Sequence, residues 1–291
     1  MIDCGLIAAG VAGAALAVAG ATLQSVLRNP LAEPYMLGTV GGGSLFAAAA
    51  MHFGLTAWGA WLLPAASFLG SCVSLAIVSA VALAASRVRA RRGADVHLRS
   101  SGSTVVLAGF VTGSFTGSLQ MLLMSAADAE TFARHSRWLF GSPSAAAPEA
   151  VVVAAVVTLA TLAGLLLLSR WLDVLELGAD EAACLGVNVR LTLVLALGAV
   201  SVMTATAVAV AGAIGFVGLV APHVVRRALG PRMRWLLPGS ALVGGVVLVL
   251  AEGMARRLPG DIPAGVLCAL GGAPCFLALL ASRHNGESRD V

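Results

Sequence analysis

The sequence predicts an all-α fold, a polytopic membrane helix bundle of about nine spans that forms one transmembrane domain over residues 1–291. Three observations carry that reading. Hydrophobic residues make up 59% of the chain and charged residues 11%, with a mean hydropathy of +0.94, which leaves too little polar surface to coat a water-soluble globule of this length. Windows such as AVVVAAVVTLATLAGLLLL, 150–168, are apolar all round rather than along one stripe, so their solvent is lipid. The alternating pattern of a membrane β-barrel is missing, and a lipid-exposed segment of this kind then satisfies its backbone only as a helix.

Spans are expected near 5–24, 36–54, 62–85, 104–126, 150–168, 191–210, 213–226, 237–255 and 262–281. Asn29 and Pro30 close the first, because proline cannot continue the hydrogen-bond ladder and disfavours helical geometry in the residue before it. Arg28 and Glu33 are then expected at the membrane interface. The second span opens with GTVGGGS, whose bare glycine surfaces let neighbouring backbones approach closely. The segment 213–226, AIGFVGLVAPHVVR, is short and holds Gly and Pro, which predicts a broken or partly inserted helix.

All 18 basic residues are arginines. They gather in 86–99, 224–234 and the tail 282–290, and only Arg134, Arg137, Arg256 and Arg257 fall in the intervening loops. The positive-inside rule makes the arginine-rich loops cytoplasmic and puts 20–35 and 169–190 on the same side. Nine spans ending inside place the N-terminus outside, although MIDCGLIAAG has neither a cleavable signal pattern nor a basic flank.

The loop 169–190, SRWLDVLELGADEAACLGVNVR, mixes acids with an amphipathic pattern, and its glycines at 178 and 186 predict two short helices with a turn. A plain connector needs far fewer residues. At SSGSTVVLAG, 100–109, Ser101 and Gly102 are small polar residues suited to starting a helix, and Thr112, Ser114, Thr116 and Ser118 either line a path or bond across the bundle. His223 follows Pro222 without a second histidine at helical spacing, which favours hydrogen bonding at a helix end over metal binding. Cys4, Cys72, Cys184, Cys268 and Cys275 form no Cys-x-x-Cys or Cys/His cluster, so neither disulfide nor metal site is expected. No phosphate-cradling Gly-x-x-x-x-Gly-Lys-Ser/Thr pattern occurs and there is no lysine at all; no cofactor and no nucleic-acid partner is predicted.

The run GAALAVAGATLQSVLRNPLAEPYMLGTVGGG, followed in order by VVLAGFVTGSF, WLFGS, LELGADEAACLGVNV, AVAGAIGFVGLVAPHVVRRALGP and DIPAGVLCALGGAPCFLALL, resembles the FecCD-like permeases of ABC importers for ferric siderophores, haem and vitamin B12. The resemblance covers nearly the whole chain. It implies a transmembrane permease subunit of the bacterial cytoplasmic membrane, not itself an enzyme, that works with two copies of an ABC ATPase subunit and an extracytoplasmic substrate-binding protein, as a homodimer or a heterodimer with a related permease. Ferric siderophores are the cargo it favours, with haem or cobalamin as alternatives. By the same resemblance Leu177, Gly178, Ala179, Asp180, Ala183, Leu185 and Gly186 belong to the region that docks on the ATPase, Arg256 pairs with carboxylates of the binding protein beside Glu252 and Asp261, and Ser101 and Gly102 narrow the cytoplasmic end of the path. The family has ten helices with both termini cytoplasmic. The first helix and an Arg-Leu-Pro-Arg-like segment have no counterpart here, which is expected to reflect a start placed too far downstream rather than a natural nine-helix variant. Residues from about 284 to 291 are expected to be disordered. A secondary transporter would need ionisable groups inside its spans, and an intramembrane hydrolase would need facing catalytic residues; most charges here fall in loops or at helix ends.

Overall fold

The computed structural model describes residues 3–59, 61–91, 99–143, 146–260 and 262–287, and among these every regular element is helical. In chain order they are α1 (Cys4–Leu27), α2 (Thr39–His52), α3 (Leu62–Arg91), α4 (Arg99–Ser125), α5 (Ala129–Leu139), α6 (Pro148–Leu175), α7 (Ala179–Cys184), α8 (Val189–Ala211), α9 (Val217–Leu229), α10 (Met233–Ala255) and α11 (Ala264–Glu287), with 3₁₀ turns at Pro34–Leu37 and Leu55–Trp58. A helix stands at every predicted span. Six of them, α1, α3, α4, α6, α8 and α10, are long and apolar enough among the described residues to cross a bilayer unaided. The second expected span is shorter than its apolar run: Pro34 sets a 3₁₀ turn, Gly38 at φ 71° ends it, and α2 keeps only 14 residues. The expected broken helix near 213–226 is found as α9, 13 residues beginning only at Val217. α11 continues to Glu287, past the start of the stretch expected to be disordered.

The bundle is built around α1, which is buried on nearly every side and packs against α6, α8, α9 and α10. Its small residues make this possible. A Cβ on Gly13 would overlap the Gly244 carbonyl of α10, and one on Gly20 would overlap the Gly218 carbonyl of α9, so the backbones meet without side chains between them. The same device joins α2 to its neighbours: a side chain at Gly42 would strike the carbonyl of Gly70 in α3, and one at Gly41 would strike Thr116 of α4. Thr112 and Thr116 therefore face inward, with Thr116 Oγ1 donating to the Thr112 carbonyl at 2.9 Å. Ser114 and Ser118 stand on the exposed side of α4.

One polar junction sits inside this apolar frame. Pro222, in the interior of α9, has no N–H to give to the carbonyl four residues back, that of Gly218. Gln24, 3% exposed on α1, supplies the missing donor: its Nε2 lies 3.3 Å from the Gly218 oxygen and 3.5 Å from that of Ala32. After Arg28, in the left-handed region at φ 48°, has closed α1, the chain folds back and Glu33 accepts a hydrogen bond from the backbone N–H of Phe216, the residue that caps the start of α9. The expectation that Glu33 lies at the interface with Arg28 is therefore corrected. Arg28 is exposed there, whereas Glu33 is half-buried and meets the positive end of a helix that starts inside the bundle.

α5 is an element that a search for apolar spans overlooks. It is amphipathic, with Asp128 before it, Glu130 in its first turn and Arg137 in its last, an order that suits the helix dipole. It buries His135 and Trp138 beneath itself, and the His135 ring meets Gln120 of α4 at 2.9 Å.

Replacing Gln24 with Ala leaves the Gly218 carbonyl without a donor in a region water does not reach. A loss of about 1–3 kcal/mol is expected, read as a lower midpoint of thermal unfolding in detergent; an unchanged midpoint would refute the role given to Gln24. Burial holds the His135 imidazole below its ordinary pKa. Its contribution is complete above about pH 6.5 and is lost as pH falls toward the lower folded value, because the unfolded chain takes up the proton first. The unfolding midpoint should drop between about pH 7.5 and pH 5, and should drop less in a His135→Gln variant.

Candidate functional site

Two ends of the bundle carry groups that packing does not explain. Arg28, Arg226, Arg227, Arg232 and Arg234 mark the arginine-rich end, and Asp3, Arg137 and Arg256 mark the far end.

At the arginine-rich end, α6 runs unbroken to Leu175 and a single short helix, α7, follows it. The two short helices expected over 169–190 are thus corrected to one, because the stretch before Gly178 is the last turn of α6. Gly178 turns the chain at φ 147°, where any side chain would also run into Glu181, and Gly186 turns it again at φ 82°; both values suit glycine alone. The second turn is closed by Gly186 N to Ala183 O at 3.0 Å and Val187 N to Ala182 O at 3.0 Å. Asn188 then starts α8 by accepting from Leu191 N at 3.1 Å.

The result is a bracket with one anchored and one free face. Ala182 is fully buried, while Leu177 and Leu185 are each 64% exposed, and Asp180, Ala183, Cys184 and Gly186 are exposed with them; Ala179 is half-buried. Two leucines held outward beyond the ends of α6 and α8 leave apolar surface uncovered beside the acids Asp180 and Glu181.

Sequence reasoning missed the residue that steadies this bracket. Asp173, in the last turn of α6, accepts from the Met233 N–H at 2.7 Å, so a carboxylate sits on the first free donor of α10. The signal was an acid within an apolar helix end, but its acceptor role needed the fold.

At the far end, Arg256 lies just beyond α10 and is already engaged. Its Nε donates to Glu252 Oε1 at 2.8 Å, and its Nη1 pairs with Asp3. Asp3 also accepts from Gly5 N at 3.0 Å, capping α1, and the Arg256 bond, with this second one, holds its carboxyl below the usual carboxylate range. Beside them opens a cavity of about 410 Å³ lined by Arg137, Ser142, Glu252, Arg256, Ile262 and Pro263. Arg257 is exposed next to it, and Asp261 lies outside the described residues. Ser101 and Gly102 fall in the first turn of α4, and the Ser101 side chain likewise lies outside the described residues. α7 and Arg256 stand at opposite ends of the bundle, beyond the C-terminal end of α6 and of α10 respectively.

A helix bundle with six helices long and apolar enough to cross a bilayer among the described residues fits a multi-pass membrane protein. The chain belongs to the FecCD transport family, whose sequence profile matches residues 5–282, and is thereby an ABC importer permease. It is 38% identical over 285 residues to the uncharacterized ABC transporter permease protein YvrB of Bacillus subtilis, covering 97% of this chain and 77% of that protein. It is 35% identical to the hemin transport system permease protein HmuU of Yersinia pestis, covering 96% and 81% respectively. Its fold matches a solved metal-chelate type ABC transporter in an inward-facing conformation with a TM-score of 0.83 at 29% identity, over 96% of this chain and 85% of that one.

Removing the Asp173 carboxylate should loosen the turn between α9 and α10. An Asp173→Ala variant is expected to exchange its Met233 amide about fivefold faster, the equivalent of roughly 1 kcal/mol for a lost helix cap. Wild-type exchange at Met233 would mean that the contact carries no local stability.

Proposed function

We propose that this chain is the permease of an importer that carries an iron-siderophore chelate across the bacterial cytoplasmic membrane, driven by ATP hydrolysis on a separate subunit. The observation that carries the reading is α7: a six-residue helix fixed between two turns that glycine makes, with Leu177 and Leu185 facing outward. An apolar pair ringed by Asp180 and Glu181 suits a cleft on a soluble ATPase, two copies of which would serve a dimer of this permease or a pair with a related one. ATP-driven closure of the two ATPases then moves α7, and the bond from Asp173 to α10 passes that movement into the bundle. In this reading Ser101 and Gly102 stand at the inner narrowing of the path. Residues 1–291 act as one permease domain.

At the far end Arg256 receives the substrate-binding protein. Because Asp3 and Glu252 already hold it, a docking carboxylate takes the place of Asp3 rather than meeting a free cation, and such exchange sets register and specificity more than raw affinity. Relatives named for Fe(3+)-citrate and iron(3+)-hydroxamate support the iron chelate. A second reading, haem or cobalamin as the cargo, rests on the relatives named for hemin and cobalamin.

The test is uptake of radiolabelled iron, offered as a panel of ferric siderophores, by a strain whose own permease has been deleted. Wild-type chain should restore uptake from at least one chelate, and Asp180→Arg should reduce it by more than about tenfold while the protein still reaches the membrane, as expected when a charge is reversed at a docked surface. Undiminished uptake by the variant would remove α7 from the mechanism. Uptake of hemin or cobalamin alone would move the cargo to the second reading.

A further inference from the structure

Between α3, α6 and α8 lies a groove of about 570 Å³. Its floor is Ala209 and Val210 of α8, and its walls carry Phe68 and Leu69 from α3 and Val153 and Val157 from α6. Only two lining residues are polar in character beyond the indole at the rim. Thr206 spends its hydroxyl on the Val202 carbonyl at 2.7 Å. Glu149 stands exposed in the first turn of α6, opposite Trp61 at the entrance to α3.

We propose that this groove holds one acyl chain of an aminophospholipid, whose ammonium pairs with Glu149. Length selects the occupant. From Glu149 to Val157 the groove descends eight helical residues, about 12 Å, which is close to one leaflet of a hydrocarbon core about 30 Å thick. A further spanning helix needs the full thickness and a cylinder about 10 Å across, and this groove descends only about 12 Å. Chemistry selects the headgroup. Beyond the satisfied Thr206, the floor and walls offer a ligand no hydrogen bond, so whatever enters is hydrocarbon. The mouth presents a carboxylate, which accepts, and an indole N–H, which donates. A zwitterionic head with an ammonium and a phosphate answers both, and an anionic head would set its charge against Glu149. Trp61 sits where an aromatic ring marks the lipid–water boundary.

Lipid retention does not depend on the cargo and is measured without transport. The purified full-length protein, in detergent, is incubated with phosphatidylethanolamine or phosphatidylglycerol of identical acyl chains, and retained lipid is counted by native mass spectrometry. Phosphatidylethanolamine should be retained about threefold more than phosphatidylglycerol, the size expected of one exposed ion pair. Glu149→Gln should erase that preference. Leu69→Trp and Val153→Trp, which fill the groove from opposite walls at exposed positions, should each lower retention of both lipids. Equal retention by the wild type, or a preference that survives Glu149→Gln, overturns the headgroup assignment; unchanged retention in both tryptophan variants, or no lipid on the wild type, overturns the groove as a lipid site.

Discussion

A proline inside a short helix, in a place where no water can repair the damage, is the constraint on which the rest of the structure depends. Pro222 frees the Gly218 carbonyl, and the late start of α9 leaves backbone donors exposed at Phe216. In a bilayer each such group costs several kcal/mol if left alone. Both are met by one stretch of chain: Gln24 gives its amide to Gly218, and Glu33 takes the Phe216 N–H. The two partners lie on either side of the Asn29-Pro30 break, so the break brings an amide and a carboxylate to one helix start. For Gln24 to reach, α1 must lie against α9 at backbone distance, and Gly20 provides that distance.

From this junction the two working ends follow. α1 is pinned to α9 in its C-terminal half, through Gly20 and Gln24, and to α10 through Gly13 and Gly244, and α10 in turn meets α6 through Asp173 and Met233 at the arginine-rich end. The α7 bracket therefore hangs from elements that are tied to the centre. At the far end the same two helices, α1 and α10, present Asp3 and Arg256 to each other. In the proposed mechanism, a displacement applied at α7 would pass to the rim through these backbone-packed helices.

Much of this was legible in the sequence, and the limits are physical. Apolar windows announce spans because lipid imposes one demand along the whole segment, and the fold class follows from composition. The break after α1, the glycine-backed packing of α2 and the shortness of α9 could be read from Pro, Gly and run length. The inward turn of Glu33 could not, because its partner is a backbone N–H 183 residues away and a main-chain donor leaves no mark in the sequence. Asp173 was hidden for the same reason. Gln24 was visible as an amide in an apolar run, a costly residue there, but not where its proton would go. α5 was overlooked because its signal is a stripe, with acid first and arginine last, and not an apolar run. Among the candidate site residues, the glycines of α7 were readable from type and spacing, whereas the single helix between them depended on how far α6 runs.

Exposure means different things at different depths of this molecule, and that decides which surfaces carry information. Phe110 and Phe115 on α4, Leu159 on α6 and Leu242 on α10 are all widely exposed, yet along spans of this kind lipid is as good a neighbour as another helix, so their exposure alone identifies no partner. Leu177 and Leu185 are no more exposed than these, but they stand beyond the ends of α6 and α8, beside acids, where the alternative neighbour is water. The same apolar area that is neutral against lipid on α4 is a standing cost against water on α7. Arg256 completes the contrast. Its charge at the rim is already balanced by Glu252 and Asp3, so leaving it undocked costs little. In the proposed function this contrast suits lasting attachment at α7 and exchange of one ionic partner for another at the far end.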